Sequence, residues 1–191
     1  MTARAERLAA LVERNDRPHA PEAEATLALG RAAGRGGAWV GAFVNAHALN
    51  LCARDAGAAR AFDGADLLLR DGAGMALLMR LAGRDPGPDV NGTDLIPRLA
   101  EGRRVALYGA APGVAAAAAR ALAARGVEVV AARHGFHEAA AYRRWIATAA
   151  APPEAGGRGA ELVILGLGMP RQEALALELR SAAPGPVGIL C

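Results

Sequence analysis

The stretch Asp66-Leu-Leu-Leu-Arg-Asp71-Gly-Ala-Gly74 decides the prediction of the fold. A short apolar run ends in a carboxylate, and a glycine turn then opens a helical pattern that is followed by Asn91-Gly-Thr-Asp94. This order predicts that Asp71 lies at the carboxyl end of a parallel strand, where open α/β sheets bind and process ligands. A carboxylate at that position serves as a base, as a sugar ligand or as a helix cap.

Segments typical of strands and of helices alternate outward from this stretch. Apolar runs predict the strands, and helical periodicity between glycine and proline residues predicts the helices. The predicted strands span residues 38–45, 66–70, 104–108, 127–133, 161–166 and 187–190. The predicted helices span residues 21–33, 46–62, 72–81, 93–100, 112–125, 138–150 and 171–183. The alternation predicts an α/β fold with a Rossmann-like, mostly parallel sheet that carries helices on both faces.

The length and composition predict one domain with a short extension. Residues 1–20 are expected to form an N-terminal extension, a charged helix and a polar linker, and residues 21–191 the Rossmann-like domain. A chain of 191 residues is long enough for one sizeable core. Hydrophobic residues make up 53% of the chain and aromatic residues only 4%, which predicts helices packed on a sheet rather than aromatic clusters.

The charge and the cysteines narrow the class of protein. The net charge of +3 comes entirely from arginine, and no arginine run is interleaved with aromatic residues, which argues against a nucleic-acid partner. A mildly basic surface favours anionic lipid or a phosphorylated ligand. Cys52 and Cys191 are far apart and lack the spacing of metal ligands, which fits a reducing cytoplasm. Since no apolar stretch approaches about 20 residues and no signal peptide is recognisable, any membrane association is expected to be peripheral.

Two glycine-rich turns are predicted to follow strands and to open helices. Gly109-Ala-Ala-Pro-Gly113 is neither a dinucleotide fingerprint nor a P-loop, so it indicates either phosphate binding by helix-start amides or an ordinary turn. In Gly166-Leu-Gly168-Met-Pro-Arg171-Gln172-Glu173, the side chains of Arg171 and Gln172 can donate hydrogen bonds to a phosphate or to a base edge. The alternative makes Glu173 a first-turn partner of the helix dipole and Arg171 a solvated surface residue.

Asn45 and Asp71 are predicted to follow two strands at the same edge of the sheet. Each has a simpler alternative as the N-cap of the helix that comes next. Asp94 is expected to be a first-turn acid, with Thr93 as the cap of its helix. The segment His134-Gly-Phe-His137 lacks metal-ligand spacing and is expected to be structural or a loose pocket wall, so no metal site is predicted.

Six segments of the chain together resemble the WecG/TagA/CpsF glycosyltransferases, glycosyltransferase family 26. They occur in the order and at about the spacing of that family and cover about residues 21–190. The segments are Asn45-Ala-His-Ala-Leu-Asn50, Ala65-Asp-Leu-Leu-Leu-Arg-Asp71-Gly72, Asn91-Gly-Thr-Asp94-Leu95, Val105-Ala-Leu-Tyr-Gly-Ala-Ala-Pro-Gly113, His134-Gly-Phe136 and Gly166-Leu-Gly-Met-Pro-Arg-Gln-Glu173. Each motif alone is moderately specific, and the ordered set is specific.

The resemblance implies transfer of a sugar from a UDP-sugar to an undecaprenyl-diphosphate-linked sugar in the assembly of cell-surface polysaccharide or teichoic acid. N-acetylmannosamine is the donor sugar of several members. The reaction inverts the anomeric carbon and needs no obligatory metal or other cofactor, and the enzyme is expected to be cytoplasmic, peripheral at the inner face of the plasma membrane. By the same resemblance Asp71 matches the proposed general base and Asn45 a contact to the donor or acceptor sugar. The residues expected to bind substrate are Asn45, Thr93, Asp94, Gly109, Gly113, Gly168, Arg171, Gln172 and Glu173.

The chain departs from the family pattern at three places. Phe43 stands where the family usually has threonine, and Asp89-Val-Asn91 stands where an arginine commonly precedes the Gly-Thr-Asp motif. The chain stops at Cys191, inside the last predicted strand, so the family's C-terminal segment is expected to be missing. The apolar edge that this would leave favours self-association, so a homo-oligomer is one expected state.

Two other classes of function stay open at this point. A nucleotide-sugar-binding protein without catalysis is motivated by Phe43 and by the missing segment. A dinucleotide-dependent oxidoreductase is disfavoured, because no GxGxxG follows a predicted strand and no acidic residue stands at the expected distance.

Overall fold

Six strands and eight α-helices make up the part of the chain that the computed structural model describes, residues 3–14, 37–87 and 91–191. The strands are β1 (Trp39–Val44), β2 (Leu67–Arg70), β3 (Arg104–Gly109), β4 (Glu128–Arg133), β5 (Leu162–Gly166) and β6 (Gly188–Leu190). The helices are α1 (Ala3–Arg14), α2 (Ala46–Arg54), α3 (Ala56–Asp63), α4 (Gly72–Leu81), α5 (Gly92–Ala100), α6 (Val114–Ala123), α7 (Ala139–Ala150) and α8 (Arg171–Ala182). The helix predicted over residues 21–33 lies outside the described residues.

The strands form one sheet in the order β2-β1-β6-β5-β3-β4, and every neighbouring pair is parallel. Because parallel strands all end at one edge, the loops that follow them gather there. The predicted α/β, Rossmann-like fold is confirmed, with a sheet that is parallel throughout the described ranges.

Side chains of the sheet alternate between two apolar layers. On β1, Val40 and Val44 pack into the layer that holds α1 to α4, α7 and α8, whereas Trp39 and Phe43 pack into the layer that holds α5 and α6. Helices therefore cover both faces, as predicted. Among the described helices none has the length and apolarity that a membrane span requires.

The chain changes face between two neighbouring strands, β5 and β3. It leaves β3 for α6 on one face and leaves β5 for α8 on the opposite face. The two loops diverge as a result, and open α/β sheets bind ligands in the crevice that such a divergence creates.

One predicted helix, over residues 46–62, is wrong as a single element. Asp55 divides it into α2 and α3, because the Asp55 carboxylate accepts hydrogen bonds from the backbone N–H groups of Gly57 at 2.6 Å and Ala58 at 3.3 Å. These bonds satisfy free donors at the start of α3, as an N-cap does, and turn the chain before β2.

A second correction concerns the start of α5. Asn91, not Thr93, is the N-cap, because the Asn91 side-chain oxygen accepts from the Asp94 backbone N–H at 2.8 Å and Thr93 is exposed. Asp94 is the first-turn acid of this helix, as predicted, and its carboxylate accepts from the Asn91 side-chain amide at 2.8 Å.

The cap makes a testable difference between two neighbouring residues. Asn91→Ala is expected to lower the free energy of unfolding by about 1 kcal/mol, and Asn91→Ser to retain most of the stability. Thr93→Ala is the matched control and is expected to change little. Urea unfolding of the three variants distinguishes the two caps, and equal losses for Asn91→Ala and Thr93→Ala would contradict the assignment.

Candidate functional site at the carboxyl edge of the sheet

Asn45 and Asp71 meet at the ends of the adjacent strands β1 and β2. The register pairs Val44 with Arg70, so the next residue of each strand lies side by side. The Asn45 side-chain Nδ2 donates to Asp71 Oδ2 at 3.3 Å, and its Oδ1 accepts from the backbone N–H of Ala48 at 3.0 Å. Asn45 therefore caps α2 and contacts the carboxylate with the same side chain.

Asp71 occupies the N-cap position of α4, as the alternative predicted, but its side chain does not act as the cap. α4 begins at Gly72, yet the Asp71 side chain makes no capping hydrogen bond to it. The carboxylate is partly exposed, and Asn45 holds one of its oxygens. A carboxylate has about four lone-pair positions, so Asp71 has acceptor capacity left for a ligand.

The start of α5 lies over Phe43, two positions before Asn45 in the chain. A Cβ placed on Gly92 would lie 3.3 Å from the Phe43 ring, and Phe43 is buried in the layer beneath α5. Phe43 thus serves as packing for the helix that carries Thr93 and Asp94. We call Asn45, Asp71 and residues 91–94 the first cluster.

Arg70 is a residue that the sequence analysis missed. Its side chain is only 6% exposed and donates hydrogen bonds to the backbone carbonyls of Pro86 at 2.7 Å, Gly72 at 3.3 Å and Gly87 at 3.4 Å. A buried charge is tolerated only with such partners. Arg70 therefore joins the loop after α4 to Gly72, the residue that follows Asp71. The sequence signal for this role was a charged residue at the end of the apolar run that forms β2.

A second cluster forms where the loops after β3, β4 and β5 converge. The backbone N–H of Ala110 donates to the Gly166 carbonyl at 2.6 Å, and that of Gly135 donates to the Ala110 carbonyl at 2.7 Å. The Arg171 guanidinium donates to the His137 carbonyl at 2.9 Å. The two predicted glycine turns are therefore brought together and joined to residues 134–137.

Gly109 permits this convergence. Its φ is +145°, and a Cβ there would lie 2.4 Å from the Gly166 carbonyl oxygen. Gly113 has φ +88° with nothing within 4 Å of a Cβ, and Gly168 has φ +79° with equally open space. Glycine is therefore required at position 109 for the close packing of the two loops, whereas Gly113 and Gly168 leave open space beside the backbone.

Gln172 is turned toward its own loop. Its Oε1 accepts from the backbone N–H groups of Gly168 at 3.0 Å and Leu167 at 3.2 Å, and its Nε2 donates to Glu173 Oε1 at 3.0 Å. The side chain shapes the Gly166–Pro170 turn from inside. Its contact with a nucleotide stays a prediction.

Glu173 is buried, with 1% of its surface exposed, so it is more than a first-turn partner of the helix dipole. Its Oε1 holds Gln172, while Oε2 has no hydrogen-bond partner in the described structure. Burial raises the pKa of Glu173. Burial also raises the pKa of the Cys191 thiol, which follows β6, and the negative charge of the nearby Glu173 carboxylate raises it further. The buried glutamate thus lies beside the strand that separates the two clusters.

This burial predicts a pH dependence of stability. Because folding raises the pKa of Glu173, the unfolded chain loses that proton first, and stability falls as the pH rises from about 4.5 through the folded-state pKa. Glu173→Gln stays neutral, so it is expected to gain stability over the wild type with rising pH. Urea unfolding between pH 5 and pH 8 measures the difference, which a pH-independent gap would contradict.

The two clusters occupy the same edge of the sheet. β1 and β5 are separated by β6 alone, so their ends lie two strand spacings, about 10 Å, apart. In the second cluster the helices α6 and α8 start without side-chain caps. The Val114 N–H donates to the Ala111 carbonyl at 3.1 Å and the Gln172 N–H to the Gly168 carbonyl at 3.1 Å, so the other N–H groups of these first turns are the ones that an anion would meet. The arrangement pairs an oriented carboxylate with a set of backbone donors along one edge of the sheet.

The stacked histidines border the second cluster. The rings of His134 and His137 lie 4.1 Å apart, and the Phe136 ring next to them is 70% exposed. Burial lowers the pKa of His137, and His134 and Arg133 add to the effect. Within the described ranges, no group of three or more histidine, cysteine, aspartate and glutamate side chains is arranged to hold a metal ion.

The comparison with protein families agrees with this geometry. A family model described as "Glycosyl transferase WecG/TagA/CpsF family" matches residues 17–191, which include both clusters. No curated protein matches the chain closely enough to count as a relative. The match covers most of the sequence, and the chain therefore belongs to the WecG/TagA/CpsF family of glycosyltransferases.

Proposed function

We propose that the protein transfers a hexosamine or hexose, most simply N-acetylmannosamine, from a UDP-sugar to an undecaprenyl-diphosphate-linked sugar, with inversion of the anomeric carbon. The product would enter a cell-surface polysaccharide or teichoic acid. The observation that carries the proposal is the Asn45–Asp71 pair, a carboxylate held at the carboxyl edge of the sheet and free of a capping role. Family membership supports the reaction class.

Asp71 is the proposed general base. A sugar hydroxyl is too weak an acid to lose its proton to a carboxylate before attack, so the proton moves as the new C–O bond forms. The acceptor oxygen attacks the anomeric carbon, the bond to the UDP oxygen breaks, and Asp71 takes the hydroxyl proton. Asn45 keeps the carboxylate oriented, because its amide position is fixed by the cap of α2.

The departing diphosphate needs positive charge and hydrogen-bond donors. The uncapped starts of α6 and α8 offer backbone N–H groups, and the open backbone at Gly113 and Gly168 lets a phosphate approach. Arg171 is exposed and anchored to the His137 carbonyl by one of its nitrogens, so other N–H groups of the guanidinium remain to meet the phosphate. We therefore expect UDP to bind at the second cluster, with its sugar toward the first.

Helix α4 supports a peripheral contact with a lipid-linked acceptor. It starts next to Asp71 and carries Leu77 and Leu81, which are 56% and 76% exposed, beside Arg80. Leu81 lies about 15 Å along the helix from Asp71 at 1.5 Å per residue. An apolar surface with an adjacent arginine at this distance suits the polyprenyl chain and its anionic surroundings.

A transfer assay tests the proposal. The full chain is incubated with a short-chain polyprenyl-diphosphate-GlcNAc acceptor and, separately, UDP-ManNAc, UDP-glucose and UDP-GlcNAc. We expect one donor to yield an extended glycolipid and an equal amount of UDP. No product from any donor, with no UDP binding by calorimetry, would reject the proposal.

The second candidate function is a nucleotide-sugar-binding protein without catalysis. Phe43 favours it, because this bulky side chain is buried at the end of β1 where the family usually has threonine. The same assay separates the two candidates, since UDP binding without transfer or hydrolysis supports the binding protein.

A further inference from the structure

A cavity of about 220 Å³ lies between the edge strand β4 and helix α7, on the face of the sheet that α7 covers. Its polar and aromatic lining is formed by Tyr108, Arg133, Trp145, Thr148 and Arg158. The remaining lining residues are alanines, so the cavity has two cations and no acid. It shares none of its lining residues with the first or second cluster.

The Tyr108 hydroxyl is the first observation that points to a ligand. Tyr108 is 1% exposed, and its oxygen has no hydrogen-bond partner within the described structure. A buried hydroxyl without a partner is unfavourable, and native structures rarely keep one. Burial raises the pKa of Tyr108 to about 12, so the group is an O–H donor at neutral pH.

The two arginines are the second observation. Arg133 donates one hydrogen bond to the Ala132 carbonyl at 3.1 Å and lies over the Trp145 ring at 5.7 Å. Arg158 donates one to the Val130 carbonyl at 3.0 Å. Neither forms an ion pair in the described part of the chain, and both are close enough to Tyr108 to act on its pKa. Each guanidinium is therefore anchored and still has free N–H donors.

We propose that this cavity binds a small phosphate-bearing anion, which accepts the Tyr108 O–H and is neutralised by Arg133 and Arg158. An oxyanion supplies the acceptor that the hydroxyl lacks and the negative charge that the guanidinia lack. The residues that line it are distinct from those proposed to bind the sugar donor, so the proposal does not depend on whether the chain transfers a sugar. The anion is either free phosphate or a phosphate carried on a small sugar.

Isothermal titration of the full chain with inorganic phosphate, and separately with glucose 1-phosphate, tests the proposal at low ionic strength. We expect saturable binding that Arg158→Gln weakens by about tenfold or more, as the loss of a charge-assisted hydrogen bond does. Arg144→Gln removes the same charge from the exposed surface of α7 and is expected to bind as the wild type does. If glucose 1-phosphate binds more tightly than inorganic phosphate, and Arg158→Gln abolishes that binding, the natural ligand is a phosphate carried on a small sugar and not free phosphate.

Tyr108→Phe separates a ligand site from a packing defect. The variant removes the unpartnered hydroxyl, so we expect the ligand-free protein to be at least as stable as the wild type and to bind phosphate more weakly. Asp71→Asn is expected to bind phosphate normally, which keeps this result independent of the transferase assay. Absence of saturable binding of both probes, or equal affinities in Arg158→Gln and Arg144→Gln, would overturn the proposal.

Discussion

Asp71→Asn is expected to lower kcat for sugar transfer by about 10²–10⁴-fold, the usual contribution of a positioned general base. Asparagine has almost the same size as aspartate and keeps an oxygen for the Asn45 amide, but it cannot take up the hydroxyl proton. Because the Asp71 side chain makes no capping bond to α4, the fold should lose little stability. Initial rates of UDP release and glycolipid formation, with urea unfolding alongside, measure both effects.

The matched control lies at the other end of the same strand. Asp66 Oδ2 accepts from the Val40 backbone N–H at 2.8 Å and from Arg180 at 2.9 Å, at the edge of the sheet opposite the site. Asp66→Asn makes the same chemical change there, so it is expected to lower stability modestly and to keep the rate per folded molecule. Wild-type turnover in Asp71→Asn would exclude Asp71 as the base.

Gly109→Ala is expected to have the largest effect on the second cluster. The new Cβ would meet the Gly166 carbonyl oxygen at 2.4 Å, where the Ala110 N–H already donates to that oxygen at 2.6 Å. A side chain at φ +145° adds backbone strain. Together the strain and the overpacking should lower the free energy of unfolding by about 2–5 kcal/mol. UDP binding should fall sharply, since the loops after β3 and β5 are forced apart.

Gly113→Ala provides the comparison for this variant. Its φ of +88° is also unfavourable for alanine, but nothing lies within 4 Å of the new Cβ. The expected loss is therefore the conformational strain alone, about 1–2 kcal/mol. Urea unfolding and UDP titration of both variants measure the contrast. Similar losses of stability in the two variants would show that the contact between Gly109 and Gly166 is not tight.

The fold class followed from the alternation of apolar and helical segments, because local periodicity directly reflects which face of an element is buried. The spatial order of the strands within the sheet could not be predicted in this way, because it depends on contacts between residues distant in the chain. One example is the position of β6 between β1 and β5. The break between α2 and α3 was missed because alanines on both sides of Asp55 have high helix propensity. The Asp55 cap overrides that propensity.

The site was only partly predictable for a related reason. Asn45 and Asp71 could be placed at the same edge of the sheet because each directly follows a strand that was predicted to be parallel. The hydrogen bond between them agrees with that placement. Which of them caps a helix depends on side-chain orientation, which sequence does not encode locally. Gln172 was expected to face a ligand, yet the loop N–H groups 3.0 and 3.2 Å from its oxygen compete for it. The burial of Arg70 and Glu173 depends on the tertiary structure.

The anomeric configuration of the transfer product shows whether the sugar is transferred by a single displacement with Asp71 as the base. The full chain, a short-chain polyprenyl-diphosphate-GlcNAc acceptor and the donor that supports turnover would be allowed to react, and the new glycosidic linkage assigned by NMR. Direct displacement with Asp71 as the only base predicts a product of inverted configuration, which Asp71→Asn forms about 10²–10⁴-fold more slowly. A retained configuration, or undiminished product from that variant, would exclude this mechanism.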